Sequence, residues 1–145
     1  MLRAFAVTAA AVVCACVSAS AQRAPLPMAL CAGWEGERTC EVLHEDDMIR
    51  VLRCAFPPGV GHEPHYHPPH FGYTLEGESV MRITGDDGGA REAPVSAGGS
   101  FANDAEVRHQ ALNVGEQATT YLIVEKKYAD TRMPAEVAPG LCVAD

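Results

Sequence analysis

Positive charge is scarce in this chain. Its 145 residues contain 11 Lys and Arg against 19 Asp and Glu, which gives a formal net charge of -8 at pH 7. The basic residues form no patch, and Lys126-Lys127 is an isolated pair without interleaved aromatic residues. Because nucleic-acid binding depends on clustered basic side chains that meet phosphates, this composition argues against a nucleic-acid partner.

Long hydrophobic runs are also lacking. The apolar run of residues 4–17 is shorter than the about 20 residues that a membrane span needs. Arg3 precedes it and Ala19-Ser20-Ala21 follows it, which is the order of a secretory signal with its cleavage site. The sequence therefore predicts a secreted or periplasmic protein with no membrane span. The alternative is a lipoprotein signal that leaves Cys16 acylated, but the Ala-x-Ala site is the better match.

Cys-x-x-Cys pairs are absent, which argues against a metal site built from cysteine. Signal cleavage would leave four cysteines in an oxidising compartment, so we expect disulfide bonds. The pairing that we favour joins Cys31 to Cys40 and Cys54 to Cys142. The sequence alone leaves the pairing open.

Sustained helical periodicity is absent as well. Short alternating or β-forming segments separated by Gly and Pro predict an all-β sandwich or barrel. The predicted layout is a signal peptide at 1–21, an N-terminal arm at 22–39, a barrel at 40–128 and a C-terminal tail at 129–145. The segments at 71–75 and 79–84 are predicted to form a hairpin. The other predicted strands are 40–43, 48–56, 90–95, 100–103, 107–113 and 118–128.

Histidine, in contrast, is concentrated. Four of the six histidines fall within nine residues, in a segment bracketed by Gly and Pro. Because alternate side chains of an extended segment share a face, Glu63, His65 and His67 are predicted to point to one side. The Pro68-Pro69 pair ends this segment, and the turn that follows is predicted to return His70 towards the same point. Converging imidazoles predict a metal site.

Such a site would suit particular metals and reactions. Neutral imidazoles favour Zn, Cu, Fe or Ni and disfavour Mg or Ca, which prefer oxygen ligands. With few anionic ligands the metal keeps most of its charge, so it would acidify a bound water or polarise a substrate oxygen. Hydrolytic, lyase or isomerase chemistry follows, and with iron or copper also dioxygen chemistry.

Two spaced motifs enclose the histidines. In the first, five residues separate Gly59 from His65-x-His67, and Gly77 closes the motif. Six residues separate Gly77 from the position where the motif has a glutamate, and this sequence has His70 there.

The second motif lies towards the C-terminus. Gly98, His109 and Asn113 stand at its distances, while Asp104 and Glu106 replace a proline and a glycine. With these two motifs, the chain resembles the cupin superfamily over residues 48–124.

The resemblance implies a double-stranded β-helix, the jelly-roll barrel of cupins, which is often dimeric and holds one divalent metal inside its mouth. The candidate metals are Fe, Zn, Ni, Cu and Mn. Carried over residue by residue, the ligands are His65, His67 and His109, with His70 in the place of the glutamate. Glu63 is the local alternative for the fourth ligand.

Other residues are assigned to the surface or the core. His62 is predicted to be a solvated loop residue, and His44, amid carboxylates, a surface residue. Four side chains are predicted to fill the barrel: Phe71, Tyr73, Met81 and Phe101.

Three functions stay open. The first is a metal-dependent dioxygenase, lyase or isomerase that acts on a small molecule, with Glu63, Tyr73 and His70 as candidate acids or bases. The second is a module that binds a metal or small ligand without turnover. The third is a structural barrel whose metal stabilises the fold. Cupins include all three, so the fold does not choose between them, although we favour the enzyme.

Overall fold

The computed structural model describes residues 25–127. This part of the chain is all-β, as predicted, and none of it forms a helix that is long and apolar enough to cross a membrane. The predicted signal peptide and C-terminal tail lie outside the described residues. The strands are β1 (Gly33–Trp34), β2 (Glu37–Arg38), β3 (Cys40–Glu45), β4 (Ile49–Phe56), β5 (Gly61–His67), β6 (His70–Glu76), β7 (Glu78–Gly85), β8 (Ala90–Ser96), β9 (Ser100–Asn103), β10 (Val107–Asn113) and β11 (Thr119–Lys126).

Two sheets make the barrel. One has four strands in the order β5-β10-β7-β8, and the other has five in the order β3-β4-β11-β6-β9. From β4 to β7 each strand lies in the sheet opposite its predecessor, so the chain winds between the two layers. This alternation gives the jelly-roll architecture that the cupin resemblance implies.

The predicted hairpin of residues 71–84 is wrong in its pairing. β6 pairs with β11 and β9, whereas β7 pairs with β8 and β10. Between them Gly77 has φ 94°, and a Cβ there would collide with the carbonyl oxygen of Ala118. The turn signal was correct, but a turn signal fixes a change of direction and not the partner strand. Here the turn carries the chain from one sheet to the other.

The hydrophobic core lies between the sheets. Leu52 on β4 is 0% exposed, and Ile123 on β11, its partner in register, is also buried. Met81 and Ala111 cover them from the four-stranded sheet. Met81 therefore fills the barrel as predicted.

Aromatic residues of β6 lie on the outer face instead. Phe71 is 41% exposed and Tyr73 39%, so their predicted barrel-filling role is wrong. Along β6 the inward positions belong to His70, Gly72 and Thr74, all buried. The period-two alternation then turns the aromatic side chains outward. Position 72 requires glycine because the ring of Phe101 lies directly against it, and a Cβ there would collide with that ring.

Cysteines of β3 and β4 correct the favoured pairing. Cys40 and Cys54 are Cα partners in register, and their sulfur atoms lie at bonding distance. The favoured links of Cys31 to Cys40 and of Cys54 to Cys142 are therefore wrong. Cys142 lies outside the described residues. Sequence spacing could not show that strand pairing places Cys40 opposite Cys54.

The segment before β1 covers the free edge of β5. The Tyr66 N–H donates to the carbonyl oxygen of Pro27 over 3.0 Å, and Ala29 N–H donates to the carbonyl oxygen of Tyr66 over 2.9 Å. Ala29 is 0% exposed. An otherwise open sheet edge is thus paired, which holds the histidine-bearing strand in place.

Candidate metal centre

A bulge in β5 decides which side chains enter the barrel. In the pairing with β10, His65 faces His109 and His62 faces Ala111, so β5 has one more residue than β10 between these pairs. The extra residue shifts the alternation, and His62 turns inward with His65 and His67. Glu63 is exposed, and its carboxylate accepts the backbone N–H of Glu35 over 3.1 Å. The prediction that Glu63 shares their face is wrong.

Three imidazoles converge from β5 and β10. The Nε2 atoms of His65 and His67 are 2.9 Å apart, and their ring centres are 4.7 Å apart. The ring of His109 lies 4.7 Å from that of His65 and 5.4 Å from that of His67. Two nitrogens that bind one tetrahedral zinc are separated by about 3.3 Å, given Zn–N bonds of about 2.0 Å. The nitrogen spacing of His65 and His67 is therefore close to that of two ligands of one metal, and the ring of His109 lies beside them.

His70 lies beside this group, with its ring centre 4.6 Å from that of His67 and its side chain buried. Both ring nitrogens already have partners. Nδ1 donates to the carbonyl oxygen of Pro68 over 2.8 Å, and Nε2 accepts from the Asn103 amide over 3.1 Å. A metal would have to displace the Asn103 amide to reach Nε2.

His62 is not the solvated loop residue that the sequence predicts. It is 2% exposed, and its ring centre lies 3.9 Å from that of His65. One nitrogen atom each of His62, His65 and His67 lies within 4.8 Å of the others, which makes His62 a further candidate ligand. Its Nε2 contacts the carbonyl oxygens of Ala29 at 2.8 Å and Ala32 at 3.3 Å, so only Nδ1 is available.

Burial keeps these imidazoles neutral at pH 7. It lowers the pKa of His65 and His67 well below the usual value, and the neighbouring histidines add to the effect. Burial likewise lowers the pKa of His62 and of His109 to about 4. Neutral imidazole is the form that binds metals, so the cluster is prepared for a cation without losing protons.

Glu125 on β11 is a residue that the sequence analysis missed. It is 0% exposed, and its Oε1 lies 3.1 Å from Nδ1 of His67. Its Oε2 lies 3.4 Å from Arg50, which also binds Glu45 at 2.9 Å. Burial raises the pKa of Glu125 to about 7, against the opposing effect of Arg50. A carboxylate that holds Nδ1–H leaves Nε2 of the same ring for a metal.

A sequence signal for Glu125 did exist. Along β11 the alternate residues Tyr121, Ile123 and Glu125 are buried, and the first two are core residues. An acidic residue at the next inward-facing position of a strand needs a polar partner inside the fold. Glu125 is also the register partner of His70, which stands where the motif has its glutamate. The buried carboxylate comes from the adjacent strand.

The histidines open into a cavity of about 400 Å³. Its walls combine apolar side chains of both sheets, a few polar side chains, Arg91 and the imidazoles of His62, His65, His67, His70 and His109. Glu63 and Tyr73, the two candidate catalytic residues, are not among the lining residues.

The asparagine of the second motif has a structural place. Asn113 is 0% exposed and donates to the carbonyl oxygens of Phe56 and Gln117, both over 2.8 Å. Its side-chain oxygen accepts from the Ser79 hydroxyl over 2.5 Å. These bonds tie β10 to β4 and β7 and so fix the strand that carries His109.

Fold and site together define a jelly-roll barrel with a histidine-lined cavity. The family model described as "Cupin domain" matches residues 52–125. The chain belongs to the cupin family. A search of the curated proteins finds no match.

Three solved structures are reported for their similarity to this chain. A cupin domain from Bordetella pertussis Tohama I has 17% identity and a TM-score of 0.57, covering 72% of this chain and 99% of that chain. A predicted oxalate decarboxylase from Thermotoga maritima has 24% identity and a TM-score of 0.46, covering 59% and 76%. A DMSP lyase from Ruegeria pomeroyi DSS-3 has 16% identity and a TM-score of 0.49, covering 64% and 48%. At 17% identity, the likeness to the Bordetella pertussis domain shows the fold alone.

Proposed function

We propose that this chain is an exported cupin enzyme that uses one divalent transition metal to transform a small molecule. The proposed ligands are His65, His67 and His109, and the reaction is of the dioxygenase, lyase or isomerase type. The supporting observation is that three neutral imidazoles from two strands converge in a cavity of about 400 Å³. A cavity of that volume is within the range of small-molecule sites.

The choice of this trio rests on strand register and on the two motifs. His65 and His109 are opposite each other in the β5–β10 register, which holds both rings at one level of the barrel. Both ring nitrogens of His70 have hydrogen-bond partners, whereas His62 keeps Nδ1 and is the alternative third ligand. An all-imidazole set favours Zn, Cu, Fe or Ni over Mg or Ca.

Each part of the chain then has a defined task. When bound, the metal would act as a Lewis acid on a substrate or water oxygen. Glu125 holds the Nδ1 proton of His67, and the apolar walls limit access of water to the cavity. His70 stands at the wall and is the remaining candidate to move a proton, since Glu63 and Tyr73 do not line the cavity.

A second candidate function is binding without turnover. Its support is that no Asp or Glu lines the cavity, so no carboxylate stands among the lining residues to act as a general base. Such a module would retain a metal or small ligand in the same place. A barrel whose metal serves only to stabilise the fold is the third candidate.

Elemental analysis of protein purified from the exported fraction tests the proposal. We expect about one transition-metal ion per chain, lost in His109→Ala and retained in His62→Ala. Loss in His62→Ala with retention in His109→Ala would replace His109 by His62 in the ligand set. An oxygen-uptake and product screen with diols, phenols and keto acids then separates the functions. Tight metal without turnover would favour the binding module, and loss of thermal stability alone on metal removal would favour the structural barrel.

A further inference from the structure

The cavity has one charged side chain in its wall outside the histidines, Arg91 on β8. Alternate residues of this strand, Arg91, Ala93 and Val95, line the cavity, and Arg91 stands at one end of the row. It is exposed, so its guanidinium is hydrated at the opening and carries no burial cost.

Within residues 25–127, Arg91 has no carboxylate partner of the kind that six other basic residues have. Among residues 25–127, ion pairs to carboxylates engage Arg50, Arg53, Arg82, Arg108, Lys126 and Lys127. Arg91 forms no hydrogen bond or ion pair within the described part of the chain. Its neighbour Glu92 binds Arg82 instead, at 2.9 Å. In a chain of net charge -8, an unpaired arginine at a cavity is unexpected unless something else neutralises it.

Arg91 and the histidines line the same cavity. Arg91 lies on β8, whereas the imidazoles come from β5, β6 and β10. A molecule in the cavity can therefore contact the guanidinium at one end and the imidazole cluster at the other. The walls that it would touch are apolar, formed by Met81, Ile83, Val95, Phe101, Val107 and Ile123.

We propose that Arg91 is an anion subsite, and that the cavity takes a small carboxylate with an apolar body. The carboxylate pairs with the guanidinium, whose planar donors match two carboxylate oxygens. The apolar body packs against the walls, and the far end of the molecule faces the histidines. The metal end of this arrangement rests on the proposed function, whereas the anion end depends on Arg91 alone.

Binding of two probes of equal shape tests the subsite. Benzoate carries the charge, and benzamide is its neutral counterpart. Calorimetric or NMR titration of each into wild-type protein, Arg91→Gln and Arg82→Gln would be compared. Since an ion pair to an exposed arginine contributes up to about fivefold in affinity, we expect benzoate to bind wild type about two- to fivefold more tightly than benzamide. Arg91→Gln should lose that preference, and Arg82→Gln, whose arginine is paired on the neighbouring strand, should keep it.

Each other outcome overturns the subsite. Equal affinity of wild type for both probes, no binding of benzoate, or an unchanged preference in Arg91→Gln would each show that the guanidinium does not select a carboxylate. The titrations would be repeated on metal-free protein, because a metal can itself bind a carboxylate. A protein that never holds metal but still loses its preference in Arg91→Gln would refute the proposed function and leave the anion subsite standing.

Discussion

Glu125→Gln is the substitution that tests most directly how the metal centre is supported. Glu125 is 0% exposed and makes two polar contacts, at 3.1 Å to Nδ1 of His67 and at 3.4 Å to Arg50. Glutamine keeps the volume and an acceptor oxygen but removes the charge. Arg50 keeps Glu45 at 2.9 Å, so its cation is not left alone and the fold should survive.

We expect the substitution of Glu125 to weaken metal binding. Removing the partner of a metal-bound histidine typically weakens metal binding by about 10- to 100-fold. We expect about tenfold for Glu125→Gln, which retains an acceptor, and a loss nearer the upper end for Glu125→Leu, which does not. Competition for Zn²⁺ or Co²⁺ between protein and a coloured chelator measures both.

Glu41→Gln is the matched control, because Glu41 is an exposed carboxylate that pairs with Arg53 at 3.2 Å, on β3. It should bind metal as wild type does. If Glu125→Gln and Glu125→Leu both fold and bind metal with wild-type affinity, the support that we assign to this carboxylate is refuted.

Three further predictions concern stability, disulfides and export. Because burial lowers the pKa of His62 to about 4, the native state takes up fewer protons than the unfolded state below pH 6.5. Metal-free protein should therefore become less stable as the pH falls from 6.5 to 4, and His62 alone should contribute up to about 3 kcal/mol of the loss. Urea unfolding at a series of pH values measures this, and a free energy of unfolding that does not change with pH would contradict it. Peptide mapping without reductant should find Cys40 joined to Cys54, not to Cys31. Mass spectrometry of the proposed exported form should find Gln22 as its first residue; an intact N-terminus would refute cleavage.

Local patterns in the sequence predicted much of the barrel, and long-range pairing accounts for what they missed. Strand β10 was predicted with its observed bounds, because apolar alternation and turn residues are local signals. The partners of Cys40 and of β6 depend on which strands meet in the sheets, which spacing does not encode. The rings of His65, His67 and His109, which the two motifs select, lie next to one another in the barrel, and their role as ligands stays a prediction. The motifs could not show Glu125, because it reaches the centre from a strand outside both motifs.

The error over Glu63 has a different cause. A period-two count along β5 assumes an unbroken ladder, and one unpaired residue between His62 and His65 reverses it. The residues Glu63-Pro64 do not by themselves indicate that the bulge lies in β5 and not in β10.

That surplus residue determines which donor atoms β5 offers to the cavity. In a regular ladder counted from His65, position 63 would face inward and position 62 outward. The bulge exchanges them, so the carboxylate of Glu63 lies at the surface and the imidazole of His62 is buried beside His65. A strand with the same residues and no bulge would therefore offer an oxygen donor in place of a nitrogen donor, which suits harder cations.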